Sequence, residues 1–505
     1  TVSLWVKRQP NPTVVSGHVQ DAAAASRPGL VRIHACEEWR PIDTADLAVK
    51  EGTALDFSRF NEPGPAGRHG RVIRRPDGQL AFTAAPDRPV RFFCLNVANR
   101  LPAEQDVGAF AAACRRQGYN AARLHWLGAD LAGRADADGE RLNQRGLDRY
   151  DRIWAELKKN GIYILVDIAS YTEFDPLYGG RDLRYLLYSD AGARSLWTRL
   201  ARDLLTHRNP YTGTTLADDP SVLVVDAFNE QNITVGSARG TRLPAGLTGA
   251  WREFLQRRYA SVAAWRAAWG DPDPAPGAAA FADVPIFVRD EIDRPGVRGD
   301  DARRFLFACE DDMYSFYEKT IREIGYAGLM HAHDYIASLR LYPIRRRMDV
   351  VAMHGYIHHP TDFNRPGSRV DQDSCLGDAA GNLRYMLGSR IAGLPLLFTE
   401  FNHVYWGACR YEEGLVYGAY CALQDVSLAS LTHNAVRLRG APLAPFCGGH
   451  DPVQRASQVV TGLLYHDRRV DAAPHRVDVY VSRQEAVTIG NSALASDQTR
   501  LALLT

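Results

Sequence analysis

From Val90 onward the chain alternates short apolar runs with stretches whose apolar residues recur every three or four positions. That is the pattern of β/α units around a parallel sheet. Eight runs read as buried strands: Phe92 to Val97, Ala121 to Trp126, Ile162 to Ile168, Val222 to Phe228, Leu329 to His333, Val350 to Tyr356, Leu396 to Phe401 and Val426 to Leu431. Between the first two, Val107, Phe110, Ala111 and Cys114 share one helical face, and Gly118 stops the helix. Leu147, Tyr150, Trp154 and Leu157 repeat the pattern before the third strand, with Lys158 and Lys159 in the last turn and Gly161 beyond. A longer helix is expected from about Arg303 to Ile324, ended by Gly325. Eight strands with crossovers predict an α/β fold, a (β/α)8 TIM barrel.

Three regions depart from that rhythm. Residues 1–89 read as an N-terminal β-rich region, with short runs at Val31 to His34, Thr53 to Phe57, Arg71 to Arg74 and Gln79 to Thr83, and Asp77-Gly78 as a hairpin turn. The barrel is expected over 90–465, with an insertion at 231–303 too long for a crossover; its helical stretch, Trp251 to Trp269, offers Trp251, Trp265 and Trp269 to the rim and is expected to narrow the cleft. Residues 466–505 read as a C-terminal β-rich segment from Arg476 to Val481, Ala486 to Ile489 and Arg500 to Thr505.

Composition narrows the class. Of 505 residues, 46% are hydrophobic and 24% charged, as in ordinary globular proteins, and the formal net charge of +1 gives no field that would draw nucleic acid. No apolar run approaches the ~20 residues of a membrane span. The eight cysteines show neither C-x-x-C pairs nor zinc-ligand spacing, so most are expected to be buried free thiols. Thr1 opens the chain without Met or a signal-like segment, so any leader is expected to have been removed or never present; the compartment stays open.

Barrel enzymes carry reactive groups at the C-terminal ends of their strands. Glu230 follows the fourth strand as Phe228-Asn229-Glu230, and Glu400 follows the seventh as Phe398-Thr399-Glu400. An ionisable group directly after an apolar strand is costly unless paired, so the two are either a working pair or separate structural salt bridges.

Taken with Arg123-Leu124-His125 on the second strand and His354-Gly355-Tyr356 on the sixth, these motifs resemble the retaining glycoside hydrolases of clan A, nearest to the cellulase-like family 5. The stretch from Leu204 to Gly213, then Asp218-Asp219-Pro220, resembles bacterial cellulase-like proteins, and the likeness covers roughly residues 65–465. The resemblance implies a retaining β-glycosidase that takes a carbohydrate substrate and needs no cofactor. Glu400 would be the nucleophile and Glu230 the acid/base, with Arg123, His125, Asn229, His354 and Tyr356 around the substrate. Oligomeric state is left open.

Chemistry agrees with those roles. A nucleophile must stay ionised, which a nearby Arg123 cation and Tyr356 phenol promote, and an acid must hold its proton, which burial and a second carboxylate favour. Asn229 suits a sugar 2-hydroxyl, His125 and His354 other hydroxyls, while His358 and His359 read as exposed loop residues. Trp126, Tyr405 and Trp406 offer ring faces to a sugar, or else pack loops on the rim. The clan's Trp near the end of strand eight is missing; Leu431-Thr432-His433-Asn434 stands there, with Trp406 as a candidate substitute. Two alternatives remain: a metal-dependent barrel hydrolase built on His331-Ala332-His333, and a catalytically silent sugar-binding barrel.

Overall fold

The computed structural model describes residues 5–7, 39–41, 47–98, 102–125, 128–132, 142–233, 243–270, 272–365, 367–439 and 443–488. Two short strands, β1 (Trp5–Lys7) and β2 (Trp39–Pro41), pair antiparallel. Three more, β3 (Val72–Arg74), β4 (Leu80–Phe82) and β5 (Ala85–Val90), form an antiparallel sheet. The β3–β4 turn falls at Asp77-Gly78 as expected, where Gly78 takes φ +85°, a conformation that glycine adopts without strain.

Eight parallel strands follow: β6 (Phe92–Ala98), β7 (Ala121–His125), β8 (Tyr163–Asp167), β9 (Val222–Asp226), β10 (Leu329–His331), β11 (Val351–Ile357), β12 (Leu396–His403) and β13 (Leu428–Leu431). Their order, β10-β9-β8-β7-β6-β13-β12-β11, is that of a (β/α)8 barrel. Each of the eight apolar runs became one strand, because a parallel strand is buried on both faces and reads as a continuous apolar run. The helices at Val107–Arg116 and Gln144–Lys159 stand where their spacing put them, the second capped by Asn143 accepting from the Gly146 N–H.

The antiparallel sheet closes the N-terminal end of the barrel. Val72, Leu80 and Phe82 join the inward-facing Phe92, Cys94 and Leu165 in one buried cluster, and the Phe82 ring lies 5.5 Å from Tyr163. The opposite end, where the strands finish, is left to the site.

Three expectations need correction. Thr53 to Phe57 forms turns, held by Asp56 accepting from the Gly52 N–H and from Ser58, so its short-range polar pairing won over strand propensity. At the C-terminus, Arg476 to Val481 is not strand and Ala486 lies in a helix, Arg483–Thr488, started by reciprocal Ser482 and Glu485 bonds. Val31 to His34, Trp126 and Arg500 to Thr505 lie outside the described residues. Within the insertion, Trp251, Trp265 and Trp269 are buried in two helices, Thr248–Arg258 and Val262–Trp269, Trp251 against Phe287 and Phe305 and Trp269 against both other indoles. They extend the main buried core beside the long helix Gly296–Ile324, since three indoles gain more from mutual burial than from a wet rim. No described residue of the insertion lines the cavity below.

Among the described residues no helix is long and apolar enough to cross a membrane. Their seven cysteines are all free.

Candidate active site

Strand alternation explains which side chains reach the barrel axis. In β7 and β8 the inward residues are Ala121, Arg123 and His125, then Tyr163, Leu165 and Asp167; in β9 they are Val224 and Asp226. The apolar members fill the lower layers and the polar ones the layer at the strand ends. β12 breaks this phase. Leu397 points inward and Phe398 outward, so uninterrupted alternation would turn Glu400 outward as well. A bulge intervenes: Met353 pairs with Phe398 but His354 pairs with Glu400, leaving Thr399 as the extra residue. Glu400 thereby faces the axis, while Phe401 returns to the outside and stacks on Tyr417 with ring centroids 3.8 Å apart.

Arg123 is the hub. Its Nε donates to Asp167 at 2.8 Å, Nη1 to Glu400 at 2.7 Å, and Nη2 to Asp226 at 3.1 Å and to the Asn229 side-chain oxygen at 2.8 Å. That last bond fixes the Asn229 amide with its NH2 as the remaining donor. Glu400 is saturated: Oε1 also lies 3.2 Å from His125 Nε2, and Oε2 accepts from the Tyr356 hydroxyl. His125 is held through Nδ1, 2.5 Å from Asp167. Burial works to raise the Glu400 carboxyl's pKa, but the positive charges of His354, His125 and Arg123 outweigh it and hold the group well below the usual carboxylate range. Burial beside that carboxylate pushes the Tyr356 phenol well up, so it stays a donor.

Glu230 sits opposite. Its backbone is left-handed at φ +50°, a costly conformation for a residue with a Cβ, and it is pinned by its N–H donating to Asp334 at 2.7 Å. His354 stands between the two glutamates: Nδ1 is 2.8 Å from Glu230 Oε1 and 3.6 Å from Glu400 Oε1, and Nε2 is 3.3 Å from Asp334. Burial disfavours a charged imidazole there, but Asp334 and Glu400 dominate and raise its pKa well above the ordinary value. His354 is thus an imidazolium donating to carboxylates, and its 3.3 Å approach to Arg123 Nη1 is a contact between two cations rather than a bond. Asp226 is driven the other way: burial and the charges of Asp334 and Asp167 push its carboxyl well above the usual carboxylate range. Oxygens of Glu230 and Glu400 come within 4.8 Å of each other.

These groups open into a cavity of about 780 Å³. One wall is aromatic, with Phe446 lying edge-on to Tyr356 (5.1 Å) and to His433 (5.6 Å). The other carries Tyr335, Tyr385 and Asn382, and the rim is the loop after β11, from Asp362 to Arg365. His359 lies in that loop and is exposed, as expected, yet it also lines the cavity. Trp406 is half exposed and Tyr405 buried, and neither lines the cavity. His433 takes the place at the end of β13 and does line it.

His331 and His333 are parted. β10 ends at His331, and His333 adopts φ +58°, which ends the alternation that would put both rings on one face. His331 Nδ1 faces Asp226 at 3.6 Å, while His333 Nδ1 faces Glu310 at 3.6 Å. The three groups of side chains among the described residues that could hold an ion are His125–Glu400–His433, Asp226–His331–Asp334 and Glu230–His354–Glu400; none joins the two histidines. The second is fully buried beside Arg123, and its histidine is pushed down to about 4 by burial, so it is neutral.

Sequence reasoning missed Asp167, Asp226 and Asp334. The first two end apolar strands and meet the same criterion that singled out Glu230 and Glu400. Asp334 carries no such signal, since its partners come from β7, β9 and β11.

No protein-family model matches the chain, and no curated protein matches it. Solved structures do. The endo-1,4-beta-mannanase of Rhizomucor miehei aligns with a TM-score of 0.50 at 11% identity, covering 79% of this chain and 100% of that one. The beta-galactosidase of Marinomonas ef1 aligns with a TM-score of 0.51 at 12% identity, over 81% of this chain and 65% of that one. A beta-galactosidase of the haloarchaeon Halorubrum lacusprofundi gives 0.52 at 13%, over 74% and 57%. At such identities the likeness is one of fold, the (β/α)8 barrel.

Proposed function

We propose that this chain is a retaining β-glycosidase in which Glu400 is the nucleophile and Glu230 the acid/base. The observation that carries the reading is the approach of the two carboxylates to within 4.8 Å across the mouth of a cavity large enough for a sugar. Retaining hydrolysis needs carboxyl groups about 5 to 5.5 Å apart; inversion needs about 6.5 to 9.5 Å, to leave room for a water.

In the first step Glu400 attacks the anomeric carbon while Glu230 passes its proton to the leaving oxygen. In the second, Glu230 takes a proton from water as that water displaces Glu400. Arg123, His125 and Tyr356 keep Glu400 ionised and fix its lone pairs, so attack requires little reorganisation. The free Asn229 amide donor is placed for a hydroxyl next to the reacting carbon. His354, bridging both glutamates, favours the charged form of Glu400 and fixes the position of Glu230. A silent sugar-binding barrel has no need of two glutamates held this way.

The test is a screen of aryl β-mannosides, β-galactosides and β-glucosides, with product stereochemistry followed by NMR. Release of the β-anomer first is the expected result; first release of the α-anomer would exclude retention, and no turnover of any of them would defeat the reading.

A further inference from the structure

The His433 ring is the one side chain lining the cavity beside Glu400 whose polar atoms the surrounding protein leaves wholly unused. It is 9% exposed, and neither ring nitrogen has a hydrogen-bond partner among the described residues. Its neighbours are all engaged: His125 by Asp167, Glu400 by Arg123 and Tyr356, His354 by Glu230 and Asp334. A buried unpaired polar group destabilises the fold that holds it, so a ring kept in that state points to a partner that arrives with the ligand.

The ring is also firmly placed. His125 lies parallel to it, with centroids 5.6 Å apart and planes at 18°, and Phe446 meets it edge-on at 5.6 Å. The His433 backbone N–H donates to the Phe446 carbonyl at 3.1 Å. A ligand nitrogen of His433 lies within 4.8 Å of an oxygen of Glu400 and of a nitrogen of His125. Whatever His433 binds is therefore the part of the substrate next to the reacting carbon, not a distant unit.

Burial and the nearby cations of Arg123 and His354 outweigh Glu400 and push this imidazole down to about 3, so it is neutral, with one donor and one acceptor. A hydroxyl, itself donor and acceptor, satisfies either tautomer. A carboxylate would need donors only and would lie against Glu400, and an alkyl group would satisfy neither nitrogen.

We infer that His433 is a specificity-determining residue that binds a free hydroxyl of the sugar ring held over Glu400, an inference that rests on the glycosidase reading above. The substrate class is then a neutral pyranoside unsubstituted at that hydroxyl, and sugars deoxygenated or alkylated there are rejected. A site built to hydrogen-bond a hydroxyl rejects the analogue lacking it far more strongly than an apolar pocket rejects an extra group.

The experiment takes the aryl glycoside that the wild-type enzyme turns over best and its complete set of monodeoxy analogues, and measures kcat/KM with wild type, His433→Phe and His433→Gln. For one position, removing the sugar hydroxyl should cost wild type about 10- to 100-fold, and His433→Phe should lose a similar factor on the parent sugar with no further loss on that analogue. His433→Gln, which keeps a donor and an acceptor, should recover part of the loss. Far-ultraviolet circular dichroism and Tm identify a misfolded Phe variant, in which case Gln and a His433→Asn variant carry the same cycle. If wild type cleaves glycosides but the variants lose the same factor on every deoxy analogue, the inference falls and the glycosidase reading stands. If wild type cleaves none, both fall.

Discussion

Arg123 and Glu400 stand 277 residues apart in sequence, and their side chains meet at 2.7 Å inside the barrel, both almost fully buried. The guanidinium answers Asp167, Asp226, Asp334 and Glu400 at once, a demand only a planar fork of five donors meets. Arg123→Met would leave several carboxylates buried without their cation, at a cost on the order of 3–5 kcal/mol, and a clear fall in the urea midpoint should follow. Arg123→Lys keeps the charge but not the geometry; turnover should drop about 100-fold or more with a smaller stability loss. Unchanged midpoints in both variants would mean that the cluster is not held by this residue.

The two glutamates should separate kinetically. Glu400→Gln should lose turnover on every substrate by at least about 10³-fold, because no covalent intermediate forms. Glu230→Gln should spare the glycosylation step for a dinitrophenyl glycoside, whose leaving group needs little protonation, and lose it for alkyl glycosides. Pre-steady-state bursts read the difference; equal losses on both substrates would reverse or dissolve the assignment.

His354 makes stability depend on pH in a defined direction. Its folded pKa is raised above the unfolded value of about 6.5, so its contribution is complete below that pH and is lost as pH rises through the folded value. The stability difference between wild type and His354→Asn should shrink above pH 6.5 by up to about 1.4 kcal/mol per unit. Glu400 acts oppositely: its pKa is depressed, so its contribution is present above the ordinary carboxylate pKa near 4.3 and is lost as pH falls toward the folded value. Denaturant titrations at pH 5, 6.5 and 8 test this, and a pH-independent His354→Asn difference would contradict it.

Phe363 should matter for long substrates only. It is half exposed on the rim, edge-on to His359 at 5.0 Å, and offers a ring face beyond the reacting sugar. Phe363→Ala should raise KM for oligosaccharides about 5- to 10-fold and leave aryl monosaccharides unaffected. Equal effects on both would place the ring at the reacting sugar instead.

What the sequence disclosed follows from how locally each feature is encoded. The eight strands were legible because double-sided burial writes an apolar run into six or so consecutive residues, and Glu230 and Glu400 because a charge directly after such a run stands out. Ala486 misled, since four residues of mixed propensity do not reveal that no strand lies beside them, and the Ser482–Glu485 cap decided for helix. The insertion's tryptophans were visible but not their destination, because the burial of Trp251 against Phe305 depends on a helix that begins only at Gly296. Asp334 and His433 became meaningful only once strands distant in sequence were neighbours.

The bulge at Thr399 makes the chemistry of this barrel depend on how one strand is paired, in a way that no residue inventory reveals. Deleting that one residue would leave Glu400 facing the axis, as the next inward position after Phe398, whereas keeping Thr399 and pairing it regularly would carry Glu400 round to the helix layer, with its carboxylate aimed into packed side chains. Arg123, Tyr356 and Glu230 would all remain, and an alignment would still find both glutamates. Homologues with a gap at that position would keep the direction of the second glutamate with no bulge needed to set it.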